Sequence, residues 1–399
     1  MKNNAVKICT VKSIIPLYKG EELANSIEYI ELEEVGNKIV AQKQLYSVGD
    51  KVVFIEPDYS LPDTSLFESF HRPYGDPKKS ILGSHGRIKA KKFTLHTGDG
   101  VHIYSYGILL PYNEVLVYLN NLKKTLNKSL LLTLDFELDL TSDLGIFKYE
   151  EPEEGPKSHG LKVNGGKEKP SDLYKTDEEN INNLWGHIKF PIQLTGRIKE
   201  DGSSITIWYR NGNYGICSRT MSKPLTITKV VGYRKPTIWE TIKSWFGVIP
   251  DLKVYHTGEN DDMFVKHGKP YLDKLVEYCK QNNIYGVALR GELRGFGAKG
   301  SGNKNNPAAK LPTDIRWYGV DDYTQEAKKK NENEFNHIME QLNFTPCEHV
   351  FTEVFASREH LENTCNEYFK SKLIEGVVVR NFDHSFSAKI MNLDYDSKK

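Results

Sequence analysis

The chain is poor in cysteine and has no paired arrangement of it. Its five cysteines, Cys9, Cys217, Cys279, Cys347 and Cys365, are scattered, and no two form a CxxC pair. That excludes a zinc ribbon or a disulfide frame. It fits reduced thiols in the cytoplasm or another reducing intracellular compartment. Long hydrophobic runs are also lacking. None approaches the length of a membrane span, and the start, Met1-Lys2-Asn3-Asn4-Ala5-Val6-Lys7, has no apolar signal core. A soluble protein with no membrane partner is the expectation. An excess of one charge is absent too, with 54 Lys and Arg against 53 Asp and Glu. A uniformly basic nucleic-acid coat is therefore excluded, while local basic patches are not.

What is present is length, strand signals and one suggestive lysine. A chain of 399 residues is long enough for two or three cores. Residues 5 to about 112 alternate as short strands, as in Val6-Lys7-Ile8-Cys9-Thr10-Val11 and Lys51-Val52-Val53-Phe54-Ile55. Several short strands separated by turn signals predict a small barrel. Val115, Leu116, Tyr118, Leu119 and Leu122 then recur at helical spacing over 113–125. The segment 151–180 is charged and rich in helix and strand breakers, and reads as a linker or a long loop. From 181 to 399, strands over 190–198, 203–209, 213–217, 285–293 and 315–320 mix with helices over 237–246, 270–282, 324–342 and 357–371. That pattern predicts an α+β unit with a mainly antiparallel core.

Lys199 stands in Arg197-Ile198-Lys199-Glu200-Asp201-Gly202. It closes an apolar strand and opens into an Asp-Gly turn, a place where an amine can serve as a nucleophile. Lys-x-Asp-Gly alone is weak, since average residue usage supplies it about once in ten chains of this length. The order downstream adds the specificity. Ser218-Arg219 follows a hairpin traced from the Lys199 strand, and Gly291-Glu292-Leu293 ends an apolar strand. Trp317-Tyr318-Gly319-Val320-Asp321, then Glu375-Gly376-Val377-Val378, then Lys389 complete the series.

This series resembles the collinear motifs of the covalent nucleotidyltransferases: DNA ligases, RNA ligases and mRNA capping enzymes. The match runs from Lys199 to Lys389. The first unit narrows it. Tyr46-Ser47-Val48-Gly49-Asp50-Lys51-Val52-Val53-Phe54-Ile55-Glu56-Pro57, Arg87-Ile88-Lys89 and Tyr106-Gly107-Ile108-Leu109-Leu110-Pro111 resemble the N-terminal OB domain of the ATP-dependent RNA ligases of the Deinococcus/Naegleria type. With only ten residues after Lys389, no room is expected for the C-terminal OB domain of DNA ligases and capping enzymes.

The resemblance implies a fold and a chemistry. The expected architecture is an OB-like β-barrel with a helical extension over 1–150, then a ligase-type nucleotidyltransferase domain of antiparallel sheets and flanking helices. The expected activity joins RNA 3′-OH and 5′-phosphate ends, as in RNA repair, with ATP and Mg2+ or Mn2+, through lysyl-AMP and an RNA-adenylate. Lys199 would be the nucleophile, its amine kept neutral by burial and a metal cation. Ile198, Asp201, Gly202, Arg219, Glu292, Tyr318, Glu375 and Lys389 would bind the nucleotide. Glu292, Glu375 and Asp201 would serve the metal, directly or through water. Two departures stand out. Relatives carry an adenine-stacking aromatic where this chain has Val320; Tyr318, assigned to the same strand face, is the expected substitute. Many ligases end on Lys-x-Lys, where this chain has Lys389-Ile390-Met391.

A monomer acting on RNA, with a nicked duplex among the candidate substrates, is the leading reading. A capping-type guanylyltransferase would use GTP instead. An inactive ligase-like protein that only binds nucleic acid is the third alternative.

Overall fold

The computed structural model describes residues 5–100, 102–125, 140–149, 167–175, 178–245, 252–298 and 302–395. Most of the segment read as a linker lies outside them. Chain contacts divide the molecule into two units: 1–153 with 181–188, and 154–180 with 189–399.

In the first unit, β1 (Val6–Ile15), β2 (Ile27–Leu32), β3 (Lys38–Gln42), β4 (Lys51–Ile55) and β5 (Ile108–Pro111) form an antiparallel sheet in the order β5-β4-β1-β2-β3. Alternation sorts its side chains into two cores. Cys9, Val11, Ile30, Ile39, Val52 and Phe54 fill one side. Ile8, Val53, Ile55, Ile108 and Leu110 face α1 (Tyr112–Thr125) through Val115 and Leu119. The sheet curls almost shut: Tyr106 N–H donates to the Lys38 carbonyl at 3.1 Å, and Val40 N–H to Ser105 Oγ at 3.0 Å. Gly107, at φ +92°, makes this closure, because a Cβ there would lie 2.5 Å from the Ile55 carbonyl oxygen. The result is a nearly closed, barrel-like sheet.

The second unit is built on two sheets. Its strands and helices are β6 (Ile192–Lys199), β7 (Ser203–Arg210), β8 (Asn213–Cys217), β9 (Met221–Lys223), β10 (Thr226–Tyr233), α2 (Ile238–Trp245), β11 (Lys253–Glu259), α3 (Met263–Gln281), β12 (Gly286–Arg294), β13 (Asp314–Asp322), α4 (Glu332–Leu342), β14 (His349–Phe355), α5 (Arg358–Ser371), β15 (Gly376–Arg380) and β16 (Ser387–Met391). One sheet runs Lys167–Glu168, β9, β8, β7, β12, β13, Lys328–Lys329; the other runs Glu179–Asn180, β16, β15, β6, β14. Their pairings are antiparallel except that of Glu179–Asn180 with β16. Ile205, Ile207, Leu289, Leu293, Ile315 and Trp317 on the first sheet pack with Leu272 and Leu275 of α3 and Phe335 and Met339 of α4. That leaves the opposite face for polar work.

Three sequence expectations change here. The helix expected from 270 starts at Met263, capped by Asp262, whose side chain accepts from Phe264 N–H at 2.9 Å. Pro270 lies inside it. Residues 167–175 and 178–180 carry strand pairing and a buried Leu173, so the end of the stretch read as a linker is ordered. The Ser218-Arg219 turn does not belong to a hairpin of the Lys199 strand. It joins β8 to β9, and Lys199 ends β6 in the other sheet.

Candidate active site

Three residues, Glu200, Asp201 and Gly202, carry the chain from one sheet to the other. Lys199 is the last residue of β6, and Asp201-Gly202 leads into β7 at Ser203. Gly202 packs against β12 so closely that a Cβ would lie 2.3 Å from the Leu293 carbonyl oxygen and 3.1 Å from Glu292 Cγ. The turn is therefore held to the strand that carries Glu292. Asp201 is fixed as well: its carboxylate accepts from Tyr395 Oη at 3.0 Å and from Asn303 Nδ2 at 3.3 Å, and its carbonyl from Asn306 Nδ2 at 3.0 Å.

Strand register sets which side chains share the cleft faces. On β6, Lys199 alternates with Arg197 and Thr195, while Ile198 points to the other face and is buried. Ile198 N–H is bonded to the Glu348 carbonyl at 2.9 Å. Across the sheet, Lys199 pairs with Gly376, which pairs with Met391; Arg197 pairs with Val378, which pairs with Lys389. Lys389 therefore emerges on the same face as Lys199, and Met391 stands on that face opposite Gly376. On the other sheet, Glu292 pairs with Ser204 and Arg290 with Thr206.

The charges converge at the sheet ends. Lys199 Nζ donates to Glu375 Oε2 at 2.6 Å. Burial alone would lower the amine. Attraction to Glu375 and Glu292, the Glu375 hydrogen bond and Asp201 outweigh it, and the net direction is upward. With no nucleotide or metal, the surrounding acids favour Lys199 as an ammonium; the neutral amine expected from the sequence belongs to the site with a metal cation in it. Glu292 responds in the opposite sense to an ordinary acid beside a lysine. Burial, with the nearby charges of Glu375, Asp201 and Glu200, overrides the pull of Lys199 and pushes its carboxyl up to about 8. Glu200 is paired with Arg294 at 2.9 Å, so one lysine is left facing three acids, Glu292, Glu375 and Asp201.

That imbalance fits a divalent cation. Among the described residues, no group of three or more His, Cys, Asp and Glu is close enough to hold one directly. Glu292, Glu375 and Asp201 are the residues that would serve it, as hard oxygen donors.

Further along the cleft, Arg290 and Asp321 form a buried bidentate pair at 2.8 and 2.9 Å. Gly319 lies across from it, where a Cβ would meet Arg290 Nη2 at 2.7 Å. Arg380 pairs with Glu178 at 2.7 Å, which holds that carboxyl down at about 2 despite burial. The Arg290 and Arg380 guanidiniums lie 5.9 and 5.7 Å from the Tyr318 ring centroid. Tyr318 Oη is 3.4 Å from Ser204 Oγ. A bulge explains its position: Arg290 pairs with Gly319 and the next residue, Gly291, with Trp317, so Tyr318 is the extra residue. Val320 consequently joins Ile315 and Trp317 in the core. Tyr318 and Val320 do not share a face, contrary to the sequence reading.

The structure thus brings Lys199, Asp201, Gly202, Glu292 and Glu375 together and sets Tyr318 further along the same cleft. Arg219 sits in the β8–β9 turn beside the buried Ser218. Sequence reading missed Arg290 and Glu178, and gave Asp321 no role beyond its place in the aromatic strand. It also missed Lys169, a buried lysine whose Nζ donates to Thr206 Oγ1 at 3.0 Å and the Tyr174 carbonyl at 2.8 Å. Burial lowers that amine to about 8. The polar alternation Arg290-x-Glu292 on an otherwise apolar strand was the available signal for the first.

No protein-family model matches this sequence, and no curated protein matches it. Solved structures do. A variant of the Naegleria gruberi RNA ligase with ATP and Mn aligns at 20% identity over 98% of each chain, with a TM-score of 0.66. A second variant of it, with AMP and Mn, gives 20% identity, 98% of each chain and a TM-score of 0.67. The same ligase with pyrophosphate gives 20% identity over 98% of this chain and 97% of the other, at 0.66. Lys199 and its acids therefore sit in a chain that has, along nearly its whole length, the fold of the Naegleria-type RNA ligase.

Proposed function

We propose that this protein is an ATP-dependent RNA ligase that joins 3′-OH and 5′-phosphate ends. The observation that carries the reading is the Lys199–Glu375 contact at 2.6 Å, at the mouth of an acid-rich cleft in a ligase fold. Lys199 Nζ forms a phosphoramidate bond to the α-phosphorus of ATP as the bond to pyrophosphate breaks. The amine proton leaves to solvent or a carboxylate. AMP then passes to the RNA 5′-phosphate, which releases Lys199. The RNA 3′-hydroxyl attacks that activated phosphate and expels AMP, leaving a phosphodiester.

Each residue has a physical task. Glu375 holds Lys199 as an ammonium until a divalent cation competes for its charge, and Glu292 and Asp201 support the cation from β12 and the turn. A bound Mg2+ or Mn2+ supplies neutralising charge at the phosphates. Lys389, on the Lys199 face, would neutralise the α-phosphate. Tyr318, with Arg290 and Arg380 near its ring, is the aromatic surface offered to adenine. The barrel-like first unit is read as an OB domain that contacts RNA, and the enzyme as a monomer.

Purified protein with α-labelled ATP and Mn2+ tests this. A covalent AMP adduct that disappears in Lys199→Ala, with sealing of a nicked RNA duplex, is expected. An adduct formed by Lys199→Ala rejects the assignment, and labelling by GTP in place of ATP selects the capping-type alternative.

A further inference from the structure

The strands β10 and β11 pair only with each other among the described residues. They form a ribbon that carries α2. The ribbon is anchored at its base: Asn260 N–H donates to the Leu225 carbonyl at 3.1 Å, Asn260 Nδ2 to the Pro224 carbonyl at 2.7 Å, and Ile227 is buried. Beyond the base, apolar side chains face solvent. Tyr233 is 69% exposed, Trp239 74% and Tyr255 44%, with Val231 and Ile238 exposed beside them. An isolated two-stranded ribbon gains nothing in stability from such residues.

The register arranges the aromatics. Val230 pairs with Tyr255 and Tyr233 with Lys253, on either side of an irregularity at Val231. Tyr255 and Lys253 are two apart on one strand, and Tyr233 is opposite Lys253. All three side chains therefore share one face, an exposed lysine set among two exposed rings. Lys235 is exposed at the tip, while Arg234 is held by Glu240 at 2.7 Å. Residues 226–259 contain five Lys and Arg against three Asp and Glu, in a chain that is otherwise balanced.

We infer that this ribbon is a stacking arm for a single-stranded segment of the RNA substrate, with Tyr233 and Tyr255 against bases and Lys253 and Lys235 on phosphates. The inference rests on the ligase reading for the identity of the polyanion. Base–aromatic stacking tolerates any sequence, because every base offers a π-face. The basic residues would make the contact salt-dependent.

The test uses the full-length protein and two readouts. Tyr233→Ala/Tyr255→Ala should form the AMP adduct at the wild-type rate, since that step needs no RNA. It should bind a fluorescein-labelled single-stranded RNA at least about tenfold more weakly by anisotropy. Tyr233→Phe/Tyr255→Phe should bind as the wild type does, because the ring is what stacks. Unchanged RNA affinity in the alanine variant, with its adduct intact, overturns the arm and leaves the ligase reading standing. Absence of the adduct in wild type overturns the ligase reading, whereas weaker RNA binding by the alanine variant would still support the arm. Binding of the wild type to phosphatidylserine vesicles that is lost in Trp239→Ala, with RNA affinity unaffected by the tyrosine changes, would assign the face to a membrane surface and overturn the proposal.

Discussion

Lys199 Nζ lies 2.6 Å from Glu375 Oε2, so the proposed nucleophile rests as half of an ion pair. An ammonium has no lone pair for phosphorus. The carboxylate that positions the amine also holds its proton on, and activation must separate those two effects.

Glu375→Gln separates them. It keeps a hydrogen-bond acceptor and removes the charge that raises the Lys199 amine. At saturating ATP and Mn2+, the rate of adduct formation should rise with pH in the wild type. In the variant that rise should begin at lower pH, with a lower maximum because a cation partner is gone. A pH profile that stays where the wild type has it would contradict the coupling.

Glu292 gives a stability signature. Its folded-state carboxyl is raised from 4.5 to about 8. Between those values the folded form holds a proton that the unfolded form has released. Stability is full below the lower value and declines as pH rises through the upper one. For the protein without metal, stability, and Tm with it, should fall between about pH 4.5 and pH 8, by on the order of a few kcal/mol at most, given partial exposure. Glu292→Gln should flatten that fall, and Mg2+ should reduce it in the wild type. Parallel Tm curves for the two proteins would rule the account out.

Tyr318 and Val320 make opposite predictions. Tyr318→Leu should raise the KM for ATP in adduct formation, while Tyr318→Phe keeps it near the wild-type value. Val320→Phe should not improve ATP binding. Val320 is fully buried beside Ile315 and Trp317, so the larger ring should destabilise by about 1–3 kcal/mol through overpacking. Chemical denaturation and ATP titration read the two effects. Tighter ATP binding by Val320→Phe would place position 320 in the cleft after all.

Gly202→Ala tests the turn. The added Cβ would stand 2.3 Å from a backbone oxygen of β12, where nothing flexible can yield. The expected outcome is at least about a hundredfold loss of adduct formation, as for other small misplacements of reacting groups, in a protein that remains folded by circular dichroism. A fully active variant would show that the turn tolerates displacement.

The sequence made the strand-rich first unit and most strands and helices of the second legible, because alternation and helical spacing are local. It also carried Lys199, Glu292 and Glu375, whose motif order resembles known ligases. Long-range relations were not legible. That Lys199 and Ser203 enter different sheets depends on pairing with β15 and β12. The bulge that turns Val320 into the core arises from the register between Arg290-Gly291 and Trp317-Gly319. The upward shift of Lys199 needed the convergence of acids some 90 and 175 residues downstream, at Glu292 and Glu375. Lys169 was hidden because it lay in a stretch whose composition reads as solvated, although its amine is buried against Thr206.

The central claim is that Lys199 carries the nucleotide. Tandem mass spectrometry of a protease digest, after incubation with ATP and Mn2+ and a chelator quench kept at neutral to alkaline pH to preserve the phosphoramidate, tests it directly. The account predicts AMP on the peptide that contains Lys199, with the modification on its side-chain nitrogen and removed when pyrophosphate is added before quenching. AMP on any other residue, or none on a folded protein that still seals RNA, would contradict it.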